Sequence, residues 1–240
     1  DKRDHDFITL TYQDCLDALD QRIIEDIESH KHNANWWKVY GLGQLGDIEG
    51  RIYTGWDLID DLPLQARLEG YGLDFGYTND PTAIIGVYYY NGGWILDEKV
   101  YKKGMSNKDI VDTLKTFQDK LVIADSAEPK SIDEIRAYGV NIQPCKKGKD
   151  SVRQGIQLVQ DQKISVTKRS VNLIKEYRNY LWEQDKNGRY LQPNQPIKGN
   201  DHGLDAIRYK LETMGRLEQE ASYADRIWAD ELAGVNNINK

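Results

Sequence analysis

Hydrophobic and polar positions along the chain fall into blocks of different period. Behind Thr11, a residue able to cap a helix, Leu16, Leu19, Ile23 and Ile27 recur at helical spacing and predict an amphipathic helix. From Trp36 to Leu62 the spacing turns short and irregular, rich in Trp, Tyr and Gly, before Pro63 leads into "YGLDFGYTNDPTA" at 71–83. Alternation there predicts a strand with Tyr71, Leu73, Phe75 and Tyr77 on one face and Gly72, Asp74 and Gly76 on the other. A carboxylate standing alone between two glycines is unusual in a strand, because aspartate is depleted there and glycine often marks a close approach by a ligand or another backbone.

The next runs, 82–90 and 94–101, are strand-like and flank a turn at Asn91-Gly92-Gly93, which completes an antiparallel three-stranded meander. Ser106 can cap a helix with Ile110, Val111, Leu114 and Phe117 inward. "LVIAD" reads as a buried parallel strand ending in Asp125, and Pro129 suits the first turn of another helix. Alternation of elements continues with a strand near 140–143, a helix from about Asp150, a strand at 163–166, and a helix opened by Ser170 with Val171, Ile174, Tyr177 and Leu181 on one stripe. "NGRYLQPNQPIKGN" has the turn chemistry of a hairpin or long loop, and a final helix from near Asp201 carries Leu204, Ile207, Leu211 and Met214. A meander followed by such alternation predicts an α/β sheet of mixed direction flanked by helices.

At 240 residues the chain can bury a substantial core, and no apolar run is long enough to span a membrane. It opens on Asp1 rather than methionine and is read as a piece of a longer protein. Cys15 and Cys145 lack metal-type spacing and are expected as free thiols. The formal charge of −7 argues against a nucleic-acid partner until its distribution is considered. Residues 1–70 hold 7 Lys+Arg against 15 Asp+Glu, whereas 145–178 hold 9 against 3. Lys146, Lys147, Lys149, Arg153, Lys168 and Arg169 make this second segment a basic island, compatible with a solvated face or with phosphate contacts.

Three acids carry candidate chemistry. Asp125 ends a buried strand, where open α/β sheets place ligands, and Asp74 lies on the strand expected beside it. In "NDHGLDAIRYK", Asp201, His202 and Asp205 share a helix surface. Clustered carboxylates repel one another unless cations neutralise them, and hard oxygen donors suit Mg²⁺ or Mn²⁺. Two such ions can drive in-line attack of water on a phosphodiester, with the glycines beside Asp74 admitting metal and phosphate. Three of these residues also have a structural reading, Asp125 as a turn residue, Asp201 as an N-cap and His202 as a surface histidine, whereas Asp74 is the hardest to dismiss. "GLGQLG" at 41–46 lies outside the strand–turn–helix context a dinucleotide site needs, His30 and His32 lack a third zinc ligand, and no P-loop motif is present.

"GLDFGYTNDPTA", "VIADSAEPKSIDEIRAYG" and "NDHGLDAIRY" resemble, in order and spacing, the three acidic motifs of the C-terminal nuclease domain of the large terminase subunit of tailed bacteriophages. "TYQDCLDAL" and "GLGQLGDIEGRIYTGW" resemble that family's linker. The resemblance implies a ribonuclease H-like fold with a mixed, five-stranded sheet, a linker subdomain at 1–68, a nuclease domain at 69–219 and a tail at 220–240. It also implies an endonuclease that cuts concatemeric double-stranded DNA with two divalent ions, Mg²⁺ or Mn²⁺, and little sequence preference. Asp74, Asp125 and Asp205 would be the metal-binding acids, with His202 assisting metal binding or proton transfer. The basic island, with Lys198, would meet DNA. The implied partners are an ATPase domain of the same polypeptide, a portal protein and a small terminase subunit, in the host cytoplasm at the procapsid portal. Two other readings are another ribonuclease H-like nuclease, such as a resolvase or transposase core, and a packaging-motor docking module whose acids are structural.

Overall fold

In the computed structural model, residues 11–29, 31, 37, 41, 42, 50–146, 151–185, 188–192 and 194–217 are described. "GLGQLG" beyond Leu42, His30, His32, Lys147, Lys149 and the expected tail at 220–240 lie outside them. The chain divides into two compact units, Asp1–Glu49 and Gly50–Lys240. In the first, Thr11 opens a capping box with Asp14, as expected. The single predicted helix is instead a 3₁₀ helix, Tyr12–Ala18, followed by the α-helix α1 (Gln21–Ser29). Leu16 and Ile23 are exposed in it, so the apolar stripe is not buried within this unit.

The second unit is built on seven strands: β1 (Asp57–Ile59), β2 (Arg67–Asp74), β3 (Thr82–Tyr90), β4 (Gly93–Lys102), β5 (Val122–Ala124), β6 (Ile142–Pro144) and β7 (Ile164–Thr167). Their order is β1-β7-β4-β3-β2-β5-β6. The meander is as predicted, turning at Asn91 (φ 48) and Gly92 (φ 73), the left-handed pair that matches the twist of a tight hairpin. Every other pairing is parallel, so β3 alone runs against the rest and the carboxyl ends of six strands share one edge.

Seven strands replace the five that the resemblance implied. One reason is β1, a three-residue edge strand too short for alternation to reveal, which pairs with β7. The boundary moves with it. Ile52, Tyr53 and Trp56 are core residues of the sheet unit, and Trp56 stacks on Tyr177 with centroids 4.6 Å apart. Residues 50–68 therefore belong to the sheet unit rather than to a linker, because their aromatics are buried in its core.

Two helical layers cover the sheet. On one face α2 (Asn107–Leu114) and α3 (Pro129–Ala137) pack on Leu73, Ile84 and Val122. Ser106 caps α2 through a capping box with Asp109, and Pro129 occupies the first turn of α3. On the other face lie α4 (Ser151–Gln160), α5 (Val171–Asn179) and α6 (202–217). The buried face of α5 differs from the predicted stripe: Val171 is 66% exposed, Leu181 lies past the helix end, and Leu173, Glu176 and Tyr177 point inward. On α6 burial runs around nearly the whole circumference from Gly203 to Thr213, including Arg208, Lys210 and Glu212.

That burial follows from close approach of α6 to β2. A Cβ on Gly72 would stand 2.0 Å from the carbonyl oxygen of Ala206, and one on Gly70 would stand 2.5 Å from Lys210 Nζ. Gly76 likewise makes room for backbone, the carbonyls of Asp80 and Pro81. The glycines around Asp74 thus admit a helix and a loop, a correction to the expectation that they clear space for metal and phosphate. Gly72→Ala should lower stability to denaturant by about 3 kcal/mol by overpacking. Gly215→Ala on the same helix, where the methyl would lie 3.6 Å from Leu158 Cδ1, should raise it by up to about 1 kcal/mol.

Candidate functional site

Asp74 is the last residue of β2, and the strand turns away immediately after it. Asp125 follows β5, which is hydrogen-bonded alongside β2 with Leu73 opposite Ala124. One oxygen of Asp125 does what a turn residue does, accepting the Ala127 N–H at 2.9 Å. The other faces the Tyr209 hydroxyl at 3.3 Å, and that same hydroxyl lies 3.2 Å from Asp205 Oδ2. Asp205 is held from its far side by Arg208, whose Nη2 donates to Oδ1 at 2.8 Å. His202, at the start of α6, places Nδ1 2.9 Å from Asp74 Oδ2 and Nε2 3.6 Å from Asp80 Oδ1. Tertiary structure therefore brings Asp74, Asp125, Asp205 and His202 to one point on the carboxyl edge.

Charge at this point is only partly balanced. Burial pushes the Asp74 carboxyl up to about 6; the His202 hydrogen bond opposes that shift, while the Asp205 and Asp125 charges add to it. His202 is raised in turn, first by its bond to Asp74, so it retains a proton more readily than a free imidazole.

Among the described residues, no three His, Cys, Asp or Glu side chains stand in ready-made metal-holding geometry. The chemistry of the donor set nevertheless fits a hard divalent cation. Three carboxylates supply oxygen ligands, and burial together with the Asp205 and Asp125 charges raises the Asp74 carboxyl, a shift that a bound cation would reverse.

Several residues at the site are absent from the sequence reading. Glu176 on α5 is buried and accepts the Gly203 and Leu204 N–H groups at 2.9 and 3.1 Å and the Tyr101 hydroxyl at 2.6 Å. It, and not Asp201, takes the open amides of α6 that were expected to need a local cap. Burial drives Glu176 up to about 7 despite these donors. Helical spacing could have flagged Arg208 and Tyr209, three and four residues beyond Asp205. A lone acid between Leu173 and Tyr177 was the available signal for Glu176.

The expected DNA-binding residues are dispersed. Lys168 pairs with Asp60 at 2.6 Å, and Arg169 bridges Asp61 at 2.5 Å and buried Asp97 at 2.7 Å, so neither is an uncommitted cation. Arg153 is exposed and lines a polar cleft of about 340 Å³ with Gln157, Gln160, Trp182, Gln192 and Asn194. Lys146 and Lys198 are exposed. The segment from 181 to 197 forms antiparallel bridges, Trp182 with Pro196 and Gln184 with Tyr190, in keeping with a hairpin.

The electrostatics predict a pH dependence. Asp74 and Glu176 have folded-state pKa values above their unfolded ones, so their contribution to stability is full at low pH and is lost as pH rises through about 6 and 7. In chelator, the melting temperature should fall between pH 5 and pH 8. Asp74→Asn should flatten that fall and melt higher than the parent at pH 8, as thermal unfolding at the two pH values would show.

The geometry can be set beside known proteins. A family model described as "Terminase RNAseH like domain" matches residues 74–213. The chain is 37% identical over 150 residues to the terminase large subunit of Bacillus phage SPP1, covering 59% of this chain and 35% of that protein. It spans about a third of the length of the curated relatives it matches. In structure it is similar to the large terminase nuclease domain of bacteriophage SPP1 solved with bound Mn, with a TM-score of 0.58, 26% identity, and coverage of 68% of this chain and 97% of that one. The large terminase of the thermophilic bacteriophage D6E shares the fold at a TM-score of 0.56 and 24% identity, over 85% of this chain and 54% of that one.

Proposed function

Since the chain belongs to the terminase RNase H-like domain family, we propose that it is a metal-dependent endonuclease which cuts concatemeric double-stranded DNA during viral genome packaging. One observation carries this reading: Asp74, Asp125 and Asp205 meet at one edge of the sheet, with Asp74 buried there against His202. That the SPP1 nuclease domain was solved with bound Mn supports a divalent ion as the cofactor of this reading.

Asp74, Asp125 and Asp205 are the residues that would hold the two ions, Mg²⁺ or Mn²⁺, with His202 beside them. When bound, such ions supply Lewis acidity for water activation and for the leaving oxygen of a phosphodiester. The protein's own groups prepare the acids for that task. His202 orients Asp74 through Nδ1 and presents Nε2, a group suited to passing a proton, toward Asp80. Arg208 fixes one oxygen of Asp205, and the other faces the Tyr209 hydroxyl that also lies against Asp125. Glu176 anchors the first turn of α6, which sets where His202 and Asp205 stand. The cutting proposed has little sequence preference.

A chain of this span would work as one part of a longer polypeptide that also carries an ATPase domain, docked with a small terminase subunit at the procapsid portal in the host cytoplasm. The contacts of Arg208 and Tyr209 to Asp205 are what a purely structural role for the acids would use, so the deciding experiment must separate the two. Supercoiled plasmid should be nicked and then linearised with Mn²⁺ or Mg²⁺ and left intact with chelator. Asp74→Asn should lower the rate on the order of 100-fold or more and abolish the rise in melting temperature that divalent ions give the parent chain. Equal cleavage by parent and variant, or none by the parent, would overturn the reading.

A further inference from the structure

The carboxyl edge beside the acids carries a second feature, built from the end of β4 and the loop after β2. Register places Asp74 opposite Ala83 and Ala83 opposite Tyr101, so Tyr101 stands in the same row as Asp74, two strand spacings or about 10 Å away. Lys102 and Lys103 follow at once and are exposed. Among the described residues neither makes an ion pair within 4 Å. Lys102 feels the charge of Asp109, a carboxylate already bonded to Ser106 in the cap of α2. Tyr77, three residues past Asp74, is 62% exposed. Its carbonyl accepts the Gly104 N–H at 2.8 Å, which ties the two loops into one ledge. The Thr82 hydroxyl donates to the Gly76 carbonyl at 2.7 Å and fixes the ledge to β3.

We propose that Tyr77, Lys102 and Lys103 form a contact for the sugar–phosphate backbone of DNA next to the cutting site. The inference rests on the nuclease reading above and adds to it where the strand is held. A cluster of acids repels phosphate, and a chain of net charge −7 needs uncommitted cations close by to offset that repulsion. The basic island is poorly placed to supply them from Lys168 and Arg169, whose charges are matched by Asp60, Asp61 and Asp97. Among the described residues Lys102 and Lys103 make no ion pair within 4 Å; Lys103 follows Tyr101 of the row that holds Asp74, and Lys102 leaves the strand end on the α2 side. Lysine ammonium groups and a tyrosine hydroxyl are donors that phosphate oxygens accept without regard to sequence. A ledge pinned by backbone hydrogen bonds offers them with little ordering cost.

Salt dependence tests this directly. Binding of a labelled duplex would be followed by fluorescence anisotropy in chelator over a range of salt concentrations. Replacing both lysines, K102A with K103A, should reduce the slope of log affinity against log salt by about 1.8, close to 0.9 for each phosphate no longer neutralised. Tyr77→Phe should weaken binding severalfold at unchanged slope. K168A with R169A should leave the slope as it is and lower the melting temperature. Lys103→Glu provides a single-site check should the double variant misfold; it should weaken binding more than K168A with R169A does. An unchanged slope in the double lysine variant, in a chain whose parent binds duplex and nicks plasmid, overturns the ledge alone. A parent that neither binds nor nicks overturns the nuclease reading and the ledge with it.

Discussion

At Gly72 the backbone of α6 comes against β2, and the packing of both the core and the site follows from that depth. Side chains normally hold a helix off a sheet, but Gly72 removes one just where the Ala206 backbone crosses, and Gly70 leaves room for the Leu121 carbonyl and the tip of Lys210. The helix sinks until its backbone touches the strand, and α4 and α5 close over its flanks in the same core. Gly155 on α4 repeats the device, since a Cβ there would stand 2.7 Å from Arg208 Cγ. From Gly203 to Thr213 a helix so enclosed leaves little more than Asp205 open to water.

Its charged residues must therefore be matched inside the protein. Arg208 pairs with Asp205, Glu212 with Arg216, and Lys210 donates to the Leu121 carbonyl, although burial still pulls the lysine down to about 8. The match is incomplete: Nη1 of Arg208 has no hydrogen-bond partner among the described residues. At the helix start, Glu176 supplies acceptors and negative charge to amides at the positive end of the helix dipole. The same depth that demands this compensation brings His202 and Asp205 beside Asp74 and Asp125, where the charges of Asp205 and Asp125 add to the burial that raises Asp74.

Much of the fold was legible because it rests on local periodicity. The meander, the Asn91-Gly92 turn, the Ser106 cap, the Pro129 helix start and the order of the later elements all follow from patterns within ten residues or so. What escaped were features with no local signature. β1 is three residues long, and the inward turn of Glu176 on α5 contradicts its apolar stripe because its partners lie on α6 and β4. Lys168 and Arg169 read as a basic surface because their acidic partners are some 70 to 108 residues away in sequence.

The site divides in the same way. By itself the sequence determined which acids were anomalous: an aspartate in a glycine-flanked strand, another ending a buried strand, and a third sharing a helix turn with a histidine. Such residues stand out because they defy the propensities of the elements that carry them. It took the folded chain to show that the glycines admit a helix and a loop, that Glu176 rather than Asp201 accepts the first amides of α6, and which lysines make no ion pair among the described residues. Those outcomes depend on which distant groups meet after burial, since desolvation and pairing are properties of neighbours in space.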